Sequence, residues 1–241
     1  MRKHFLEPLI GMLPDNRDSA FGEYARRAKK FIRASQGEFH QRVMALKEIF
    51  PHKVRKGFLL QQNGLAPPNG SDPALDWSAS FLNRFNGDSI NRILYLDLKD
   101  SLPGDMLNKV DWMSMKNSLE VRVPFLDHRV VELAFEIPGA AKLRGGVSKR
   151  FLKDTFKSIL PKSLHCRQKA GFEIPISRWL RDDMRHLVDT YLSEERICDQ
   201  KIFDYAVVKD LVDKHMQRKT DTSWMLWNLI VFEYWREKYV S

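Results

Sequence analysis

Apolar residues recur along most of this chain at intervals of three and four, the spacing that lines one side of an α-helix. Over 20–34 (AFGEYARRAKKFIRA), Phe21, Tyr24, Ala25, Ala28, Phe31 and Ile32 share one face. Over 37–50 the pattern repeats with Phe39, Val43, Met44, Leu46 and Ile49, and Pro51 stops it, because the residue before a proline is disfavoured in helical backbone. A further helix is expected to start at Pro51, where the absent N–H costs nothing in a first turn. The turn formers of 61–73 (QQNGLAPPNGSDP) predict a loop. Helical signals return with the cap Asp72-Pro73, and Asp88 opens an element carrying Ile90, Ile93, Leu94 and Leu98. Helices are also predicted over 127–135, over 148–160 with Ser148 as cap, and over 176–192, 203–217 and 222–238. The last is apolar nearly all round in its first half, so it must be buried or lie against a partner surface. Strict alternation is scarce, and 119–123 (LEVRV) is the best strand candidate. The pattern contains no internal repeat and predicts an all-α chain, a single helical lobe over 1–241.

Composition narrows the class. Hydrophobic residues make up 43% and charged residues 29%, enough to bury a core and too apolar for a disordered chain. No run approaches the roughly 18 apolar residues of a membrane span. The basic, then apolar start MRKHFLEPLIGML is interrupted by Glu7 and Pro8 and lacks a small-residue cleavage site, so a cytoplasmic protein is expected. The formal charge of +9 suits an anionic partner. The basic runs Arg26-Arg27, Lys29-Lys30, Arg33 and Lys53, Arg55, Lys56 read as solvated helix faces, and no nucleic-acid-binding signature accompanies them. Cys166 and Cys198 form no CxxC pair, and the seven histidines show no HxxxH or HxH spacing. Neither a disulfide framework nor a metal site is expected from this chain alone.

Two stretches are candidates for chemistry. In 100–127 (DSLPGDMLNKVDWMSMKNSLEVRVPFLD) Pro103 opens a helix with Leu107, Val110, Met113 and Met115 on its apolar side. Lys109, Asp111, Glu120 and Arg122 are embedded among these apolar residues. Buried ions need partners, so these pair with each other in a structural network or with a ligand. In 165–180 (HCRQKAGFEIPISRWL) Arg167 and Lys169 are cationic, Gly171 permits a turn, and Phe172, Pro175 and Trp179 can anchor the loop. Lys169 is then either a point charge aimed at a phosphate or part of a surface turn.

The segments LPGDMLNKVDWMSMKNSLEVRVPFLDHRVVELAFEIP and SKRFLKDTFKSILPKSLHCRQKAGFEIPISRWL resemble the C-terminal synthetase domain of glutamine-dependent asparagine synthetases over about 95–182. The resemblance implies that the chain is the helical C-terminal part of an α/β ATP-pyrophosphatase-type synthetase domain (adenine nucleotide alpha hydrolase-like). It also implies ATP- and Mg2+-dependent conversion of aspartate to β-aspartyl-AMP, with ammonia supplied by a glutaminase domain. By motif, Lys169 in R-x-K-x-G-F is similar to the family's active-site lysine. Glu120 and Arg122 in E-V-R-V-P-F are placed on the acyl-substrate side, a position a scaffolding role would also explain, and Asp111 and Arg129 are read as structural partners. The family's Ser-Gly-Gly-x-Asp-Ser loop, its second Gly- and Asp-rich motif and its N-terminal catalytic cysteine do not occur here. Gly145-Gly146 precedes a helix but lacks the loop's serine and aspartate. The sequence therefore reads as a piece of a longer enzyme, silent by itself and binding no cofactor alone. A non-catalytic helical interaction module and a basic nucleic-acid-binding domain are the other classes in play. A homo-oligomer is an allowed assembly, and another carboxylate could replace aspartate.

Overall fold

The computed structural model describes residues 20–35, 37–59, 72–163 and 174–240, which form helices and turns and no strand. In chain order the named helices are α1 (Ala20–Arg33), α2 (Phe39–Lys47), α3 (His52–Phe58), α4 (Pro73–Asn83) and α5 (Ser89–Lys99). A π turn (Leu102–Leu107) then runs into α6 (Asn108–Lys116), and a 3-10 turn (Pro124–Leu126) leads to α7 (His128–Glu136), α8 (Gly139–Lys142) and α9 (Arg150–Thr155). The last are α10 (Ile176–Arg181), α11 (Arg185–Tyr191), α12 (Glu194–Gln200), α13 (Tyr205–Met216) and α14 (Ser223–Tyr239). They belong to two compact units, one of residues 1–75 with 172–241, the other of 76–171.

The core of the first unit is sealed by Leu180, Ile197, Val208 and Leu226, with Ile176, Val188, Leu211 and Leu229 beside them. Phe58, at the end of α3, stacks on Phe203 with ring centroids 4.5 Å apart. The long helix α14 buries Leu226, Leu229, Ile230 and Glu233 at three- and four-residue spacing and exposes Val231, Tyr234 and Trp235. The expectation that this apolar helix needs burial holds for one of its two sides. Arg55 ties α3 to the chain before and after it, with Nη2 2.6 Å from Glu48 and 2.5 Å from Asp72. Asp72 also caps α4, its Oδ1 accepting from Ala74 N–H at 3.2 Å.

Several boundaries differ from the sequence pattern. The predicted helix 176–192 is two helices, because Asp182 turns out of helical backbone with ψ −97°. In an unbroken helix Val188 and Leu192 would lie about 120–160° round the axis from Ile176, at 100° per residue. The break returns both to the core, where they are 2% and 5% exposed. On α1 the buried residues are Gly22 and Ala25, whereas Phe21, Tyr24 and Phe31 stand exposed. The small side of that helix is the one that packs, and the aromatic positions do not set its face. Ser148 does not cap α9; a turn with Gly145 and Gly146 at φ 58° and 76° delays the start, and Lys149 takes the N-cap position in left-handed backbone. Helix α12 follows Ser193-Glu194-Glu195, an N-terminal signature that the apolar period alone does not single out. The loop 61–71 lies outside the described residues.

The second unit is organised by polar groups. Asp88 caps α5, its Oδ1 accepting from the N–H groups of Ile90 (2.9 Å) and Asn91 (3.0 Å), while Oδ2 accepts from Gly139 N–H at 2.8 Å. The bond from Gly139 is the largest of the influences holding the Asp88 carboxyl below its ordinary range. Asn91, 4% exposed, donates to Ile137 O at 3.1 Å and accepts from Lys142 Nζ at 2.5 Å. One aspartate and one asparagine thus fix the start of α5 against the end of α7 and the whole of α8. Sequence reasoning expected Ile93 and Leu94 to carry this face, yet they are 38% and 39% exposed, and α5 buries Asn91 and Leu96. A Cβ at Gly139 would sit 2.3 Å from Asp88 Oδ1 and 2.5 Å from Ile90 Cβ. Gly139→Ala must therefore push the carboxylate off the backbone N–H it satisfies, and the variant is expected to lose about 2–4 kcal/mol in denaturant unfolding. A loss below about 0.5 kcal/mol would mean that the staple is not formed.

Candidate functional site

The family-like stretch is presented by a helix, a bent arm and a second helix. Helix α6 closes on a turn in which Ser118 takes φ 56°, Leu119 N–H returns to Ser114 O at 2.9 Å, and Asn117 Nδ2 donates to Met113 O at 2.8 Å. The chain then runs through 119–123 with no regular secondary structure, so the expected strand is corrected to an irregular arm. Pro124 ends it in the 3-10 turn. Asp127 then caps α7, accepting from Arg129 N–H at 3.0 Å and clamping the Arg129 guanidinium at 2.9 Å through each oxygen. These hydrogen bonds from Arg129 lower the Asp127 carboxyl from its ordinary value and raise the Arg129 guanidinium. The arm is therefore braced at both ends.

Glu120 and Arg122 lie two residues apart on this arm. Their tips meet at 2.6 Å, with the arginine 86% and the glutamate 70% exposed. The expectation of buried ions in an apolar bed is corrected here. Leu119, Val121 and Val123 on the arm are themselves exposed, and the two ions keep their hydration. Lys109 is likewise exposed, 3.9 Å from Asp105. Arg129 has the structural role expected of it, whereas Asp111 makes no ion pair among the described residues. An exposed pair like Glu120–Arg122 adds little stability, and its remaining donors and acceptors stay available to a ligand.

Lys169 lies outside the described residues, as do Cys166, Arg167, Gly171 and Phe172. Of that second stretch, Pro175 provides the N-cap of α10, and Trp179 is half-buried against the core of the first unit. Pro175 is exposed, and the loop these residues are expected to anchor lies outside the described residues. Among the described residues no three His, Cys, Asp or Glu side chains converge to hold a metal ion, and no helix is long and apolar enough to cross a membrane. Of the basic run on α1 expected to be a solvated face, Arg27 is exposed while Arg26, Lys29 and Lys30 are half-buried, and Arg26 and Arg27 both reach Glu23 at 2.8 Å. The hydrogen bond from Arg26 is the main reason the Glu23 carboxyl falls to about 2. A cleft of about 560 Å³ in the first unit, whose lining includes Lys30, Ile49, Val54, Lys214, Trp224 and Met225, holds none of the motif residues.

Sequence reasoning did not single out the buried polar residues Asn91, His215 and Glu233. His215 is fully buried with Nε2 3.0 Å from Ser177 O, and Glu233 is fully buried beside Arg196. A polar residue inside a helical period was the available signal, but solvent-facing positions carry the same letters.

The asparagine synthase family model matches residues 4–237. The chain is 32% identical over 209 residues to asparagine synthetase [glutamine-hydrolyzing] 1 of Bacillus subtilis (strain 168), covering 87% of this chain and 32% of that protein. It is 42% identical over 55 residues to asparagine synthetase [glutamine-hydrolyzing] 3 of the same organism, covering 23% and 9%. It is 34% identical over 89 residues to the asparagine synthetase [glutamine-hydrolyzing] of Rattus norvegicus, covering 33% and 16%. The chain thus spans about a third or less of the length of these relatives. No solved structure matches.

Proposed function

Because this chain belongs to the asparagine synthase family, we propose that it is the helical C-terminal portion of an ATP-pyrophosphatase-type synthetase domain, part of a cytoplasmic ligase that makes asparagine. In the proposed reaction an aspartate β-carboxylate oxygen attacks the α-phosphorus of ATP, the bond to pyrophosphate breaks, and β-aspartyl-AMP forms. Ammonia from glutamine then attacks the acyl carbon, and AMP leaves with the C–O electrons. Among the described residues no three His, Cys, Asp or Glu side chains converge, so none is assigned here as a magnesium ligand.

The observation that carries this reading is the exposed Glu120–Arg122 pair on its braced arm. Arg122 keeps free N–H donors in a planar fork suited to a substrate carboxylate, and Glu120 both orients that fork and can accept from an α-ammonium group. Lys169 of the R-x-K-x-G-F motif stabilises negative charge as it builds on the α-phosphate and on the departing pyrophosphate. The chain alone is silent, and it acts together with the glutaminase and nucleotide-binding parts. The test is a chimera in which this chain replaces the matched span of the Bacillus subtilis relative. Pyrophosphate release that rises with aspartate supports the reading. Release driven only by another carboxylate overturns the substrate. A folded chimera that releases none with any carboxylate favours the runner-up, a helical interaction module.

A further inference from the structure

His215, in the last turn of α13, is fully buried, yet the proposed reaction gives it no part. Its Nε2 stands 3.0 Å from Ser177 O in the first turn of α10. A carbonyl oxygen only accepts, so Nε2 carries the proton and donates. Across the ring, Nδ1 lies 3.9 Å from Oδ1 of Asp221, which accepts from Ser223 N–H at 3.1 Å and from Ser223 Oγ at 2.6 Å. Thr222 Oγ1 donates to Leu211 O at 2.8 Å. His215 thus joins α10 to α13 at the place where the start of α14 is also fastened.

A fully buried imidazole costs more to desolvate than a leucine of similar size, so what the histidine contributes here is a directional bond. Helix α10 has six residues, too few to hold itself by backbone hydrogen bonds alone. Its Ile176 and Leu180, 2% and 0% exposed, give it depth in the core. Apolar burial is non-directional, however, and does not fix the helix in rotation. The bond from His215 to Ser177 O does, and Arg181 Nη1 holds the same residue by its Oγ at 2.9 Å. Helix α10 is the first described element after the motif that carries Lys169. We infer that His215 is a positioning residue for Lys169: its bond to Ser177 O sets where the chain from that motif enters α10, and so where the lysine's charge is held. This role for His215 rests on the one proposed for Lys169.

His215→Leu removes the donor and keeps the volume filled, so it separates direction from packing. In the chimera it is expected to lower kcat for aspartate-dependent pyrophosphate release at least about tenfold, with KM for aspartate changed less than about threefold, because a misplaced stabiliser is lost to the transition state. His215→Gln, whose amide donates from nearly the place of Nε2, should recover most of the rate. In the Lys169→Ala background His215→Leu should cost less than about twofold, since a residue that acts by placing the lysine then has nothing to place. A histidine that merely supports the fold would give the same loss in both backgrounds, and that result overturns the inference. A folded His215→Leu chimera with kcat within about twofold of its parent overturns it too. A parent chimera that releases no pyrophosphate removes the ligase reading instead, and the role of Lys169 with it, so the two fail separately. Hydrogen exchange on the free chain checks the anchor without any chemistry: amides of 176–181 should exchange at least about tenfold faster in His215→Leu, while those of 223–239 change little. Equal exchange over 176–181 overturns the inference whatever the chimera does.

Discussion

Lys169→Ala in the chimera is expected to lower aspartate-dependent pyrophosphate release by at least about 100-fold, the scale seen when one fixed electrostatic stabiliser of a transition state is removed. The loss belongs in kcat. A cation facing the α-phosphorus gains most as charge accumulates there, and less while ATP merely sits bound. Lys169→Arg should restore only a fraction, since the guanidinium is a wide planar fork where a compact point charge is required. Lys149→Ala, at the exposed start of α9, serves as the control and should leave turnover unchanged. Near-normal turnover in the Lys169→Ala chimera would remove the lysine from the mechanism. A raised KM with kcat intact would make it a ground-state binding residue.

The largest expected effect on stability lies in the first unit, at Arg196. Its Nε stands 3.3 Å from Oε2 of the fully buried Glu233, its Nη2 donates to Glu233 O at 3.2 Å and to Glu237 Oε2 at 2.5 Å, and its guanidinium covers the Tyr191 ring at 4.7 Å. Burial opposes the charged form of Arg196, but the hydrogen bonds to Glu237 and Glu233 outweigh it, so the guanidinium is held above its ordinary value. Arg236 also reaches Glu233, at the longer distance of 3.4 Å. Removing Arg196 leaves a buried carboxylate with that weaker partner alone. Arg196→Ala is therefore expected to cost about 3–5 kcal/mol in denaturant unfolding. Combining it with Glu233→Leu should recover much of the loss, because the uncompensated charge is then gone. If Arg196→Ala costs under about 1 kcal/mol, the pair is not what joins α12 to α14.

The chain's helical class, most of its elements and its family were legible without coordinates. The three- and four-residue period reports which segments can bury one side of a helix, and caps such as Asp72, Asp88 and Asp127 act within three residues of themselves. Family motifs are likewise local strings. Lys169 is a candidate on such a string alone, since it lies outside the described residues.

Other features depended on packing between segments far apart in the chain. The period over 176–192 gives no reason for a break, which exists because Val188 and Leu192 have to reach the same core as Ile176. Whether Phe21 or Gly22 faces inward depends on what α1 lies against, and only the small side fits. The same limit applies to charge: Asn91 and Glu233 are inside because Lys142 and Arg196 meet them from 51 and 37 residues away. Glu120 and Arg122 stay in water because, among the described residues, no apolar layer covers their arm. Sequence by itself determined most of the helical segments and the family to which the chain belongs. Tertiary structure alone decided which faces are buried, because desolvation depends on every neighbour in space and local backbone preference on only a few along the chain.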